Sequence, residues 1–187
     1  AKGSAKSDGA EIKQFLIKKG MLIRRDNHNV GFMKCDHNGK LILETLILTI
    51  GNSGASKRVF GLNIKYYDED GDLKGQDDVD YDEIDEMLSA VDFMLDLSPK
   101  LRREHCEYTE VEYKSKEGTY FGFYQTPSEQ RGYISTAREH GSAFIDPLRL
   151  RSFGDLLRKA KAYLKENGAE KEEEQGETQN PTNFHTN

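Results

Sequence analysis

Hydrophobic periodicity along the chain predicts two amphipathic helices, each preceded by a run of short strands. The first helix is expected from about Asp80 to Pro99, because its apolar residues recur at the three-and-four spacing of one helix face. In this interpretation Asp80 and Glu83 form a capping box and Pro99 ends the helix. The second helix is expected from about Leu148 to Asn167, with Gly168 as its terminator.

The start of the second helix has two alternatives. Asp146-Pro147 has the pattern of an N-cap followed by proline at the first helical position. Ser152 and Asp155 offer a later start, one turn or more into the same apolar stripe. We prefer the early start, because it places an N-cap residue and proline together at the helix entrance.

Apolar segments that alternate or run continuously predict about four strands before each helix. Those before the first helix are Phe15 to Arg24, Val30 to Cys35, Leu41 to Ile50 and Phe60 to Tyr66. Those before the second helix are Tyr108 to Lys114, Tyr120 to Gln125, Gly132 to Thr136 and Ser142 to Ile145. Residues 26–29 predict a turn, and Asn38-Gly39 is the strongest hairpin signal. The pattern indicates an α+β fold of antiparallel sheets with two covering helices, arranged as a ββββα pseudo-repeat.

The length fits a single domain over residues 11–167, with halves 11–98 and 99–167 if the repeat is a duplication. An ordinary α+β domain with two similarly spaced helices is the alternative. Residues 1–10 lack apolar periodicity and residues 168–187 form an acidic tail, so both ends are expected to be disordered.

Charge is sorted along the chain. The whole chain of 187 residues has a formal net charge of −6, yet residues 68–92 hold twelve acidic residues and a single base, Lys74. The first helix is acidic and the second is basic. Two explanations follow: the helices lie side by side and neutralise one another, within a chain or across a dimer, or one face meets a charged partner. We favour the first.

The element order resembles that of the Pur-domain and Whirly single-strand binders, in which four strands and a helix occur twice. The resemblance covers residues 11–167 and implies single-stranded nucleic acid as a partner. The candidate residues for phosphates and base stacking are Lys57, Arg58, Arg102, Arg103, Arg131, Arg138, Tyr113 and Tyr124. The competing interpretation places most tyrosines in the core or in cross-strand pairs.

Other candidate sites have incomplete patterns. Cys35-x-His37 supplies zinc-ligand types without the spacing of a zinc knuckle. Asp68, Asp70 and Asp72 cluster like calcium ligands, but the glycine of an EF-hand loop is misplaced. The remaining candidates are a Cys35–Cys106 disulfide and His140 as an isolated acid-base group, and we assign no catalytic role to any residue.

The sequence therefore predicts a noncatalytic binding or assembly module that acts through charge-segregated surfaces as a homodimer. The alternatives are a single-stranded nucleic-acid binder and, third, a hydrolase with an unrecognised site. No cofactor is expected, and no apolar run is long enough to span a membrane. Ala1 in place of methionine favours an exported or organellar protein after N-terminal processing, with the cytoplasm as the alternative.

Overall fold

A computed structural model describes residues 11–16, 20–52, 55–136 and 141–170. The predicted α+β class is confirmed: two four-stranded antiparallel sheets are each followed by a long helix. The first sheet consists, in spatial order, of β1 (Leu22–Lys34), β2 (Lys40–Asn52), β3 (Ala55–Tyr67) and β4 (Leu73–Asp80). The second consists of β5 (Thr109–Lys114), β6 (Tyr120–Gln125), β7 (Gln130–Ser135) and β8 (Ser142–Ile145). The helices are α1 (Glu11–Leu16), α2 (Ile84–Leu101) and α3 (Leu150–Glu166).

The two halves exchange their long helices. The helix of the first half, α2, packs on β5 and β6 of the second sheet, whereas α3 packs on β1, β2 and β3 of the first. The helices also pack on each other, and a single core cluster contains buried residues from both sheets and both helices. Neither sheet is therefore covered by the helix that follows it in sequence.

The first half has four strands, but two of them differ from the prediction. Strand β1 runs unbroken through the expected turn at residues 26–29, with a β-bulge between Asn29 and Gly31. Phe15 belongs to α1 instead of a strand, and its buried ring faces the sheet from that helix. The hairpin expected at Asn38-Gly39 does join β1 to β2.

Strand β4 was missed because the sequence of Leu73–Asp80 is acidic. Its carboxylates have tertiary partners that a sequence pattern does not reveal. Asp77 accepts a hydrogen bond from the Thr119 hydroxyl at 2.7 Å, and Asp80 accepts the backbone N–H groups of Glu11 and Ile12 at 2.6 and 3.1 Å. Asp80 thus caps α1 instead of α2.

The ends of α2 also differ from the prediction. A 3-10 turn at Tyr81–Glu83 precedes the helix, and the capping box is absent because Glu83 accepts the backbone N–H of Lys116 at 2.8 Å. Pro99 lies inside the helix, which continues to Leu101. The last turn is held by second-sheet glutamines: Gln130 Nε2 donates to the Ser98 carbonyl and Gln125 Nε2 to that of Leu101. The same two carbonyls also accept the backbone N–H groups of Arg102 and Glu104, so the glutamines add a second hydrogen bond to each and tie the helix end to the second sheet.

The early start of α3 is confirmed. The Asp146 carboxylate accepts the Leu148 backbone N–H at 2.9 Å, and Pro147 opens the 3-10 turn that leads into the helix. Gly168, with φ of +103°, follows the helix end as expected. Among the helices of the described ranges, none combines the length and apolar character needed to cross a membrane.

Candidate nucleic-acid interface

Helix α1 covers one end of the face of the first sheet that is turned away from α3, and Asn63 and Asp78 just beyond it are buried as well. There α1 packs on a small apolar cluster whose buried members are Ile12, Phe15, Leu46, Leu48, Ile50 and Val59. Gly61 permits this close approach, because a Cβ atom there would collide with the Ile12 side chain and the Val79 carbonyl. The rest of this outer face carries three rows of side chains that the strand register sets side by side.

We number the rows from the covered end and define each by its residues in the order β1 to β4. Row one is Asn29, Glu44, Asn63 and Asp78. Row two is Phe32, Ile42, Lys65 and Gln76. Row three is Lys34, Lys40, Tyr67 and Leu73. The surface thus changes from fully polar to mixed aromatic and basic across a few residues.

The side chains of row one are fixed by hydrogen bonds and an ion pair. Glu44 Oε2 accepts hydrogen bonds from Lys65 Nζ and Asn27 Nδ2, both at 2.9 Å. Burial alone would raise the pKa of Glu44, but these hydrogen bonds outweigh it and lower the pKa. Across the row, an Arg25 guanidinium nitrogen lies 3.8 Å from the buried Asp78 carboxylate. The row is therefore fixed in place and charged.

Asn63 in this row has an unused acceptor. Its Nδ2 group donates to Asp78 Oδ1 at 2.6 Å, whereas its Oδ1 atom has no hydrogen-bond partner although the residue is fully buried. A buried polar atom without a partner costs about 1–3 kcal/mol relative to a satisfied one. Because this oxygen is buried, a ligand on the surface cannot reach it without movement of the side chains that cover it.

Rows two and three present the exposed Phe32 ring with two exposed lysines, beside the half-buried Tyr67. The Phe32 side chain is 56% exposed, and Lys40 Nζ lies 4.6 Å from the centre of its ring. Arg149, at the start of α3, donates to the Lys34 carbonyl and so brings another cation to the β1 edge. Within the described ranges, neither Lys34 nor Lys40 forms an ion pair with a carboxylate. These lysines are available to an anionic ligand.

One border of this face is acidic. The turn between β3 and β4 carries Asp68, Asp70 and Asp72, which the sequence suggested as calcium ligands. Asp68 accepts the backbone N–H groups of residues 70 and 72, and its carboxylate pairs with Lys74 at 3.0 Å, which lowers its pKa. An anionic ligand would therefore run towards β1 and Arg149, away from this turn.

The cationic residues singled out from the sequence do not form one site. Lys57 and Arg58 lie on β3 beyond α1, where Lys57 pairs with Glu11 and the Arg58 guanidinium lies over the Phe60 ring at 4.7 Å. Arg102 and Arg103 follow α2, and Arg102 hydrogen-bonds Gln130. Arg131 pairs with Asp36 on the outer face of the second sheet. Arg138 and His140 lie outside the described residues.

The two tyrosines proposed for stacking lie on opposite faces of the second sheet. Tyr113 faces the core, where its ring contacts Phe121 at 5.2 Å and burial raises its pKa to about 12. Tyr124 is on the outer face, stacked with Tyr108 at 6.3 Å. For Tyr113 the core interpretation is the correct one.

Both cysteines are free thiols in the structure, and the Cys35–Cys106 disulfide is not formed there. Cys35 is buried beneath the first sheet, and burial raises its pKa to about 11. His37 is exposed in the adjoining turn, whereas Cys106 is contacted by Gln125 Nε2 at 3.3 Å. Over the described part of the chain, no three His, Cys, Asp or Glu side chains converge as metal ligands.

The oppositely charged helices do lie side by side. Lys161 of α3 bonds both carboxylate oxygens of Asp85 at 2.6 Å, and Arg158 pairs with Asp92 at 2.8 Å. Part of the charge segregation seen in the sequence is therefore balanced between α2 and α3 of the same chain.

The three rows escaped sequence analysis because their members are spread along the chain from Asn29 to Asp78, a separation of 49 residues. The sequence did contain one indication of this surface. The Asn38-Gly39 hairpin fixes the pairing of β1 with β2 and thereby sets Lys34 opposite Lys40 and Phe32 opposite Ile42. In comparisons with known proteins, no family model and no curated protein matches this sequence.

Proposed function

We propose that this chain is a noncatalytic binding module that takes single-stranded nucleic acid on the outer face of its first sheet. The observation that carries the proposal is the juxtaposition of rows two and three, where the exposed Phe32 ring and the half-buried Tyr67 ring lie among lysines. An open sheet face with aromatic rings and flanking cations is a common platform for unpaired bases.

Phe32 and Tyr67 supply the stacking surfaces. They lie on β1 and β3 in neighbouring rows, so strand and residue spacings separate them by about 12 Å. Stacking of a base on an aromatic side chain contributes about 1–3 kcal/mol. Because the Phe32 ring is largely exposed, binding there needs no change in the core.

Lys34, Lys40 and Arg149 supply phosphate contacts along the β1 side of the face. Each neutralised phosphate releases counterions, so affinity should fall with salt by about 0.7 log units per log unit for each contact to a single strand. The acidic turn on the opposite side sets the direction of the backbone. In row one, the exposed Asn29 amide and the half-buried Glu44 carboxylate can hydrogen-bond base edges exposed in an unpaired strand.

The test is fluorescence anisotropy with a labelled single-stranded oligonucleotide over a range of salt concentrations. The double variant K34Q/K40Q removes two cations from row three. Its salt slope should be shallower than that of the unchanged protein by about 1.4, the value expected for two lost contacts. The matched control, K114Q/K159Q, makes the same charge change on the second sheet and α3 and should leave the slope unchanged.

If the salt slope becomes equally shallow in both double variants, the affinity depends on the net charge of the protein and not on this face. Absence of binding by the unchanged protein at low salt would end the proposal. A duplex of the same sequence serves as competitor, and equal affinity for it would contradict a single-strand platform.

A second candidate function is self-association, which the exposed surfaces of the long helices favour. Phe93 on α2 is 60% exposed among acidic neighbours, and Arg151 and Lys159 lie on the exposed side of α3. A dimer that pairs these surfaces should show a mass that falls with dilution and with added salt. Light scattering that gives one mass under all these conditions would remove this candidate.

A further inference from the structure

The outer face of the second sheet differs sharply in character from that of the first. We call it the tyrosine–glutamate face and define it by Tyr108, Glu110, Glu112, Tyr120, Tyr124 and Tyr133. The register places Glu110 directly opposite Tyr124, and Glu112 in line with Gly122 and Tyr133. Gly122 is required there, because a Cβ atom would collide with the Val111 carbonyl.

Tyrosine hydroxyls hold the two glutamates in place. The Tyr133 hydroxyl lies 2.7 Å from a Glu110 carboxylate oxygen and 2.8 Å from one of Glu112. The Tyr108 hydroxyl donates to the other Glu110 oxygen at 3.0 Å. This hydrogen bond raises the pKa of Tyr108, and burial together with its two glutamate contacts raises that of Tyr133. The phenols therefore stay protonated, and the single Tyr133 proton can be donated to one of the two carboxylates at a time.

No cation within the described ranges pairs with Glu110 or Glu112, although both are exposed. Arg131, in the same row as Glu110, is directed towards β8, where it lies over the Phe144 ring at 4.6 Å and pairs with Asp36. Lys114, two residues after Glu112 on the same side of β5, is exposed and forms no ion pair with either glutamate. The Tyr108 ring is 59% exposed and stacked with Tyr124. The face thus combines unpaired negative charge with an exposed aromatic surface.

We propose that the tyrosine–glutamate face docks an extended arginine- and lysine-rich segment of a protein partner. Guanidinium groups are the natural ligands, because they bond carboxylates in a bidentate manner and stack on aromatic faces. Strand β5 is also an edge strand, so an extended segment can reach its backbone groups. The charge complementarity rules out nucleic acid at this face and is independent of the function proposed above.

The experiment uses the full chain and a fluorescein-labelled octapeptide that alternates arginine with glycine. A second peptide with citrulline in place of arginine keeps the shape without the charge. The variant E110Q/E112Q retains acceptors for Tyr133 and Tyr108 and should weaken binding of the arginine peptide at least tenfold. The matched control E69Q/D70N makes the same charge change in the β3–β4 turn and should stay within twofold.

Tyr108→Ala provides a second variant whose folding is secure, because this ring is mostly exposed. This variant should weaken binding of the arginine peptide severalfold and leave the midpoint of thermal unfolding unchanged. Equal binding of the citrulline peptide, equal loss in the two double variants, or no binding by the unchanged protein at low salt would overturn the proposal. Oligonucleotide binding by E110Q/E112Q should persist, which separates a failure here from a failure of the first-sheet interface.

Discussion

Removal of α3 should unfold the whole chain, including the first sheet, which ends long before α3 begins. The reason is the helix exchange, since α3 and not α2 covers the inner face of that sheet. The buried side chains that α3 contributes are Leu150, Phe153, Leu156, Leu157, Ala160 and Leu164.

The size of the effect follows from this burial. A leucine or phenylalanine side chain stabilises by about 1.5–3 kcal/mol when fully buried. The five large side chains of α3 therefore contribute about 7–15 kcal/mol as an upper estimate. A whole domain is stable by only about 5–15 kcal/mol, so the loss is comparable with the total. The truncated chain 1–149 should show no cooperative unfolding transition.

Urea unfolding followed by circular dichroism measures this directly, with the full chain as reference. The fragments 1–98 and 99–187 should each be unfolded alone and should regain a cooperative transition when mixed. A cooperative transition for fragment 1–98 by itself would refute the reasoning, because it would mean that the first sheet is stable without α3.

Three further predictions concern single residues. Phe32→Ala should weaken oligonucleotide binding about fivefold or more, because about 1 kcal/mol of stacking corresponds to that factor. The control Phe93→Ala removes a similarly exposed ring on α2 and should leave the affinity unchanged in the same anisotropy assay. Burial raises the pKa of Asp77, Asp80 and Glu83, so the native state holds their protons more tightly than the unfolded state does. The free energy of unfolding should therefore rise as the pH is lowered from 7 towards about 5, and Asp77→Asn should reduce that rise; a fall over this range in urea titrations would contradict the assignment. Native protein should expose one thiol to a disulfide reagent quickly, that of Cys106, whereas the buried Cys35 thiol should react only on unfolding, and C106A should abolish the fast phase.

Patterns that depend on local geometry were predictable from the sequence. The strands of the second half, the hairpin at Asn38-Gly39 and the Asp146-Pro147 helix entrance all follow from turn and capping chemistry that acts over a few residues. The capping rules gave a wrong prediction where a side chain binds a group that is distant in sequence instead of its own helix end. Asp80 and Glu83 have the spacing of a capping box, but the backbone of α1 and the β5–β6 turn bind their carboxylates instead.

In the first half, the predicted number of strands agrees with the structure because two errors in the predicted segments cancel. The predicted turn at residues 26–29 divided β1 in two, while the acidic β4 was not recognised as a strand. Polar residues are tolerated in the middle of β1 because it is an edge strand with much of its length exposed. The strand count of four was therefore correct although two of the predicted segments were not.

The candidate interface was less predictable than the fold, because it is a property of register. Charge counting led to arginines and lysines that the structure distributes over separate surfaces, several already paired with carboxylates. Phe32, Lys40 and Tyr67 attract no attention individually, and they become neighbours only when three strands pair. A surface of this kind requires the long-range pairing to be known.

The most direct test of the central claim is an NMR titration of the labelled protein with a single-stranded oligonucleotide at low salt. The proposal predicts that the largest shift changes occur on the first sheet, at the backbone of Phe32 and Lys40 and the side-chain methyl of Ile42. Resonances of Tyr108 and Glu112 on the second sheet should stay nearly unchanged. Changes centred on the second sheet, or no changes at saturating oligonucleotide, would contradict the account.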